Sequence, residues 1–263
     1  MSSNISGLLS ATFAEPGYEH LVELVHQRDA AGRRRLEALD VELYDANGRE
    51  LAARAVDPCH EVLDLGTLIG EILQPGERAL VLFDARYDER VFPYRPHHYA
   101  YLHRMASGDP PLYYAVNATL GGVPDRIGTE RLNNFETYLF RARPFAERYS
   151  LLLGSAARFA DVEARVTCYY ASTTTATTVT LAPRQHAEIV LPLEHAGEPL
   201  ARVDLKSMFR LASYVVGRRA STGSLVLFDH LLRSTLGPAP GPSPRSGRGG
   251  TVIHPSAHVC TFG

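Results

Sequence analysis

Two stretches of the chain run through the same order of segments, and that order restricts the fold more than any single motif does. In the first, Leu21-Val22-Glu23-Leu24-Val25 has the pattern of a strand, and Leu39-Asp40-Val41-Glu42-Leu43-Tyr44 alternates apolar and acidic residues with the period of two that a half-buried strand requires. Asp45-Ala46-Asn47-Gly48 is a turn signal, and Arg49-Glu50-Leu51 starts a return strand, so this region predicts a hairpin. Pro58, His60, Val62 and Asp64 follow, then a loop ending at Gly76 and the apolar run Ala79-Leu80-Val81-Leu82-Phe83-Asp84.

In the second stretch Tyr149-Ser150-Leu151-Leu152-Leu153 takes the first place and Val162 to Tyr170 alternates as Val41 and its neighbours do. A Thr-rich tip, Thr178-Val179-Thr180-Leu181, Pro183, His186, Glu188 and Ile189 come next, and Leu225-Val226-Leu227-Phe228-Asp229 closes the series. Val41 to Pro58 and Val166 to Pro183 are both 17 positions apart, and both stretches contain Leu-Val-Leu-Phe-Asp. On this alignment the second copy carries about 20 extra residues around Val203–Val216, whose aromatic and β-branched content predicts strand.

Many short strands separated by Gly, Pro and Asn turns predict a mainly all-β fold of two tandem β-sandwich-like units related by an internal repeat, with few short helices. The expected division is a first unit over 1–120, a connector over 121–134, a second unit over 135–235 and a flexible tail over 236–263. From Gly237 to Gly250, 11 of 14 residues are Gly, Pro or Ser, too few apolar groups to fold alone. Helix is expected over Leu65–Leu73 and around Glu130-Arg131-Leu132. Val41, Leu43, Leu80, Leu82, Val166, Leu225 and Leu227 are expected to supply the core.

Composition narrows the function by exclusion. A net charge of -2 gives no electrostatic drive toward nucleic acid, and no apolar stretch is long enough to span a membrane as a helix. Lys206 is the one lysine among 27 basic residues, a skew that a GC-rich coding sequence explains. Three cysteines, Cys59, Cys168 and Cys260, share no ligand spacing and form no disulfide framework, which points to a reducing, cytoplasmic setting. Nucleophile elbows, phosphate-binding glycine loops and His-Glu-x-x-His spacings are absent from the sequence.

One region carries chemistry-bearing residues at high density. In Pro93–Arg104 a regular strand puts His97, Tyr99, Tyr101 and His103 on one face and His98, Ala100 and Leu102 on the other, with Leu112–Asn117 able to pair across the loop Ser107–Pro111. His97, His98 and His103 are the candidate metal ligands, and Tyr99, Tyr101, Asn133, Asn134 and Glu136 the candidate ligand-binding residues, the last three from Arg131–Tyr138. A shared ion needs a bulge at His97-His98 or ligands brought from afar, such as His20 or His26. His60 and His186 occupy matching places in the two stretches and are expected to bond loop backbone.

The pattern favours a non-catalytic binding or assembly module that presents a His/Tyr-rich face at the junction of the two units. A metal-dependent enzyme built on residues 97–103 is the alternative. The expected partner is a small molecule, a glycan or a protein, with a homodimer favoured by the exposed sheet edges; the sequence names no cofactor and no catalytic residue.

Overall fold

The structure, a computed structural model, describes residues 5–24, 36–88, 98–104, 108–118, 134–143 and 145–233. His97, Asn133, the segment around Glu130 and the tail beyond 233 lie outside the described residues. Strands dominate, as the patterning predicts, and helix is almost absent.

The first half runs β1 (Ile5–Ala14), β2 (Glu19–Glu23), β3 (Leu36–Tyr44), β4 (Glu50–Val56), β5 (Val62–Asp64), α1 (Leu65–Gly70), β6 (Ala79–Asp88), β7 (Tyr99–His103), β8 (Leu112–Ala115) and β9 (Asn117–Ala118). Helix α1 falls within the expected Leu65–Leu73 segment. Its first turn is capped by Asp64, whose carboxylate accepts the Thr67 N–H at 3.0 Å, and Leu65, Leu68 and Ile69 turn inward. The second half runs β10 (Asn134–Leu139), β11 (Arg148–Gly154), β12 (Val162–Tyr169), β13 (Thr174–Leu181), β14 (His186–Val190), β15 (Glu194–His195), β16 (Glu198–Pro199), β17 (Arg202–Ser207), β18 (Ala212–Arg218), β19 (Leu225–His230) and β20 (Leu232–Arg233).

Each half makes one five-stranded and one four-stranded antiparallel sheet, and the strand orders correspond one for one. The first half has β4-β3-β6-β1-β9 and β5-β2-β7-β8; the second has β13-β12-β17-β10-β20 and β14-β11-β18-β19. The hairpin β15-β16 stands where α1 stands in the first half.

This correspondence corrects one expected equivalence. Leu80–Asp84 lies in β6, whose topological counterpart is β17, whereas Leu225–Asp229 lies in β19, the counterpart of β8. The shared Leu-Val-Leu-Phe-Asp is therefore coincidence, the outcome of two buried strands drawing on the same few residue types. No insertion is needed either: β6 begins 21 positions after Pro58 and β17 begins 19 positions after Pro183. Val203–Val216 forms β17, β18 and the turn between them, strands as its composition predicts.

The seven expected core residues are all buried, in two clusters with a common wall. Leu151, Leu153, Val215 and Leu227 of the sheet β14-β11-β18-β19 face the second cluster with Val166, Val203 and Leu205. Leu152, Ala212, Tyr214, Val216 and Phe228 of the same sheet belong to the first cluster, with Ala11, Phe13, Leu80 and Leu82. A sheet so placed needs apolar residues on both faces, which is why β11 and β18 lack the alternation of a half-exposed strand.

Polar contacts, from fully buried to partly exposed, register this junction. The Arg184 guanidinium donates to the Ala156 carbonyl at 2.8 Å and to Glu42 at 3.2 Å, and lies over the Tyr44 ring. Arg78 bridges Glu15 (2.8 Å) and Glu188 (2.9 Å), while Arg218 also pairs with Glu15. Gly48, with a positive φ of 79°, lets the β3-β4 turn sit against the Pro183 carbonyl, where a Cβ would come within 2.5 Å of that oxygen.

Candidate functional site

Strand β7 reads Tyr-Ala-Tyr-Leu-His, and its pleat sends Ala100 and Leu102 into the first core while Tyr99, Tyr101 and His103 face outward. Its neighbours continue both patterns. On β2, His20 and Val22 are buried while Glu19, Leu21 and Glu23 turn out; on β8, Tyr114 is buried and Tyr113 turns out.

The registers place these outward residues side by side. Leu21 stands opposite Tyr101 and Tyr101 opposite Tyr113, while Glu23 is opposite Tyr99 on one side and Val62 on the other. Tyr101 and Tyr113 meet edge to face with ring centroids 5.2 Å apart, and the His103 ring packs on Tyr101 at 6.0 Å. Three large groups across this face remain open to solvent: Val62 is 50% exposed, Tyr99 53% and Tyr113 76%. Together with Leu21 and Glu23 they border a shallow depression.

Acidic groups edge the patch. Glu19 lies 4.0 Å from His103 Nδ1. Desolvation, with the Glu19 carboxylate as the next cause, holds the Tyr101 phenol above its usual pKa, so this hydroxyl stays neutral at physiological pH. Such a surface can stack, accept hydrogen bonds and pair with cations.

The remaining candidates sit elsewhere. His98 is buried, its ring edge-on to Phe83 at 5.9 Å, and thus lies on the opposite face of the sheet from His103. A single ion cannot reach both through the sheet, and the described residues contain no cluster of three or more His, Cys, Asp or Glu side chains able to hold a metal. No helix among the described residues is long and apolar enough to cross a membrane.

Asn134 and Glu136 do converge, but inside the second half and away from the tyrosines. The Glu136 carboxylate is fully buried and accepts from Ser213 Oγ at 2.5 Å, Arg210 Nε at 3.2 Å and Asn134 Nδ2 at 3.2 Å. Burial raises its pKa, against the opposing pull of Ser213 and Arg210. The first half buries its own polar set at the corresponding β1 strand: the Tyr114 hydroxyl lies 2.7 Å from Thr12 Oγ1 and 2.7 Å from His20 Nε2. Both sets tie sheet to sheet across the sandwich interior, so Asn134 and Glu136 do not join the aromatic face.

His60 and His186 part company as well. His186 is buried, stacks edge-on against Phe13 and has Nε2 3.3 Å from the Arg78 carbonyl, the expected backbone contact. His60 is exposed and lines a depression with Arg54, Asp57 and Glu71 between β4 and α1. Leu21, Glu19, Glu23, Val62 and Tyr113 complete the outer face although the candidate set omits them. The legible signal was the alternation Glu-His-Leu-Val-Glu of β2, whose partner strand cannot be read from one sequence.

No protein-family model, no curated protein and no solved structure matches the chain.

Proposed function

We propose that this chain is a non-catalytic binding or assembly module whose contact surface is the outer face of the sheet β5-β2-β7-β8. The observation that carries this reading is the exposure of Val62, Tyr99 and Tyr113 as one patch on a sheet whose counterpart in the second half has the same face covered. Tyrosine is favoured at contact surfaces because it supplies large, rigid, amphipathic area at low conformational cost.

The acidic groups Glu19, Glu23 and Asp64 around the patch suit a protein partner that brings an apolar centre and a basic rim. Arginine is the most suitable anchor, since its guanidinium stacks on phenol faces and pairs with carboxylates. The test is parallel capture with the wild-type chain and a Tyr99→Arg, Tyr113→Arg variant of unchanged melting temperature. A partner bound by the first and lost by the second supports the reading. Identical partner sets, or a glycan array bound equally by both proteins, would remove the face from consideration.

A further inference from the structure

Among the described residues strand β13 is an unpaired edge of the sheet β13-β12-β17-β10-β20, and it reads Thr-Thr-Ala-Thr-Thr-Val-Thr-Leu, eight residues with no charge and no proline. A long uncharged edge is a template for another strand, and β proteins ordinarily blunt such edges with charge, proline or brevity. The other edges described here are blunted. Strand β4, the counterpart of β13, carries Glu50 and Arg54; β14 carries Glu188; β5 has three residues and β9 and β20 two each. Strands β8 and β19 approach one another, with the Tyr114 and Phe228 rings 4.5 Å apart.

The hydrogen-bond phase of the edge follows from the hairpin turn. Tyr170 N–H donates to the Thr173 carbonyl at 2.9 Å, and antiparallel pairing alternates from there, so Thr175, Thr177 and Val179 bond to β12. The N–H and C=O groups of Thr174, Ala176, Thr178 and Thr180 then point away from the sheet. The Ala182 N–H fits this phase, bonding to Gln185 Oε1 and not to β12.

We propose that two copies of the chain pair antiparallel through β13 about a two-fold axis at Thr177, joining two five-stranded sheets into one. This register sets Ala176 opposite Thr178 and Thr174 opposite Thr180, so every outward backbone group meets its complement, with about eight inter-chain hydrogen bonds. The strand suits self-pairing because no like charges oppose one another on the axis and its β-branched residues pack well across strands. The contact is smaller than the ~800 Å² per partner of a standard stable interface, so the dimer depends on concentration. It uses a surface other than the aromatic face, and either proposal can fail alone.

Sedimentation equilibrium of the full chain over a wide concentration range tests it. The expected mass rises from 28.9 kDa toward twice that value. Thr178→Pro removes an N–H that the fold does not use, at two symmetry-related places, and is expected to weaken the dimer by about tenfold or more. An Ala176→Lys, Thr180→Lys variant does the same by charge should the proline variant not fold, while Tyr113→Arg leaves the dimer intact. The idea is overturned by a monomer at every concentration, or by a dimer that folded β13 variants retain. It is equally overturned by a dimer that Tyr113→Arg abolishes, or by a monomer whose Ala176, Thr178 and Thr180 amides exchange slowly because another segment of the same chain covers them.

Discussion

The sheets β5-β2-β7-β8 and β14-β11-β18-β19 have the same strand order and opposite surroundings. In the second, Leu152, Tyr214 and Val216 are covered by Phe13, Leu80 and their neighbours; in the first, Tyr99, Tyr101 and Tyr113 face outward. Side-chain patterning accounts for the difference. Strand β18, Ala-Ser-Tyr-Val-Val-Gly-Arg, is small or apolar on both faces up to its terminal arginine, and Gly154 at the end of β11 has no Cβ, where one would lie 2.6 Å from Leu80 Cδ1. Strand β7 alternates, and its outward residues carry hydroxyl and imidazole groups that water can satisfy. One topology thus serves as an internal wall where its outer face is apolar and as an external surface where that face is amphipathic.

Tyr214→Ala attacks the covered face at a fully buried ring. The ring meets Phe13, Tyr114 and Phe228, and the hydroxyl donates to the Ala11 carbonyl at 2.9 Å. A loss of about 3–5 kcal/mol is expected by chemical denaturation, from the cavity and the lost hydroxyl bond together. A loss below ~1 kcal/mol would mean that this face is not a working part of the core.

Acid should weaken the same wall. Desolvation lowers the pKa of His186, at the edge of the covered face, to about 4, with the Arg78 charge adding to the effect; burial lowers that of His20, inside the first core, to about 4 as well. The unfolded chain takes up these protons near pH 6.5 whereas the folded chain resists them, so stability is full above pH 6.5 and falls as pH drops toward 4. Each histidine accounts for about 3 kcal/mol across that window. Melting temperature against pH checks it: His186→Gln and His20→Gln should each flatten the acid limb, and a limb unchanged in both would contradict the assigned burial.

The contrast also separates what one sequence can reveal from what it cannot. Local alternation was legible: the outward set Tyr99, Tyr101 and His103, the inward set His98, Ala100 and Leu102, and the turn at Asp45–Gly48 all follow from period and turn chemistry. Strand pairing over long separations was not. Leu80–Asp84 and Leu225–Asp229 look alike because burial selects the same residues, yet they occupy different places in their sheets, and only hydrogen-bond partners distinguish them. Asn134 and Glu136 suggested a ligand site because polar residues cluster there. Their partners Ser213 and Arg210, more than 70 positions later, convert the cluster into an interior tie.

A smaller effect is expected at the rim of the junction. Arg184→Met removes the cation facing Glu42 and the donor to the Ala156 carbonyl, leaving a poorly hydrated carboxylate. About 2 kcal/mol is expected, because Glu42 keeps the Tyr44 hydroxyl bond at 2.8 Å and retains some contact with water. In the Glu42→Gln background the cost of Arg184→Met should shrink. Equal costs in both backgrounds would show that the two side chains act independently.

The smallest stability effect should fall on the aromatic face, and its smallness is what gives the comparison force. Tyr113→Ala removes a side chain that is 76% exposed and whose recorded ring contact is the edge of Tyr101. Substitutions at such positions shift stability by about 0.5 kcal/mol or less, against the several kcal/mol expected at Tyr214. If Tyr113→Ala instead costs as much as Tyr214→Ala in the isolated chain, the outer face is already covered by part of the same molecule and presents no surface to a partner. If it costs almost nothing alone but weakens capture of a partner about tenfold or more, the two faces differ in what covers them and not in kind: one is sealed by the chain's own first half and the other is left for a second molecule.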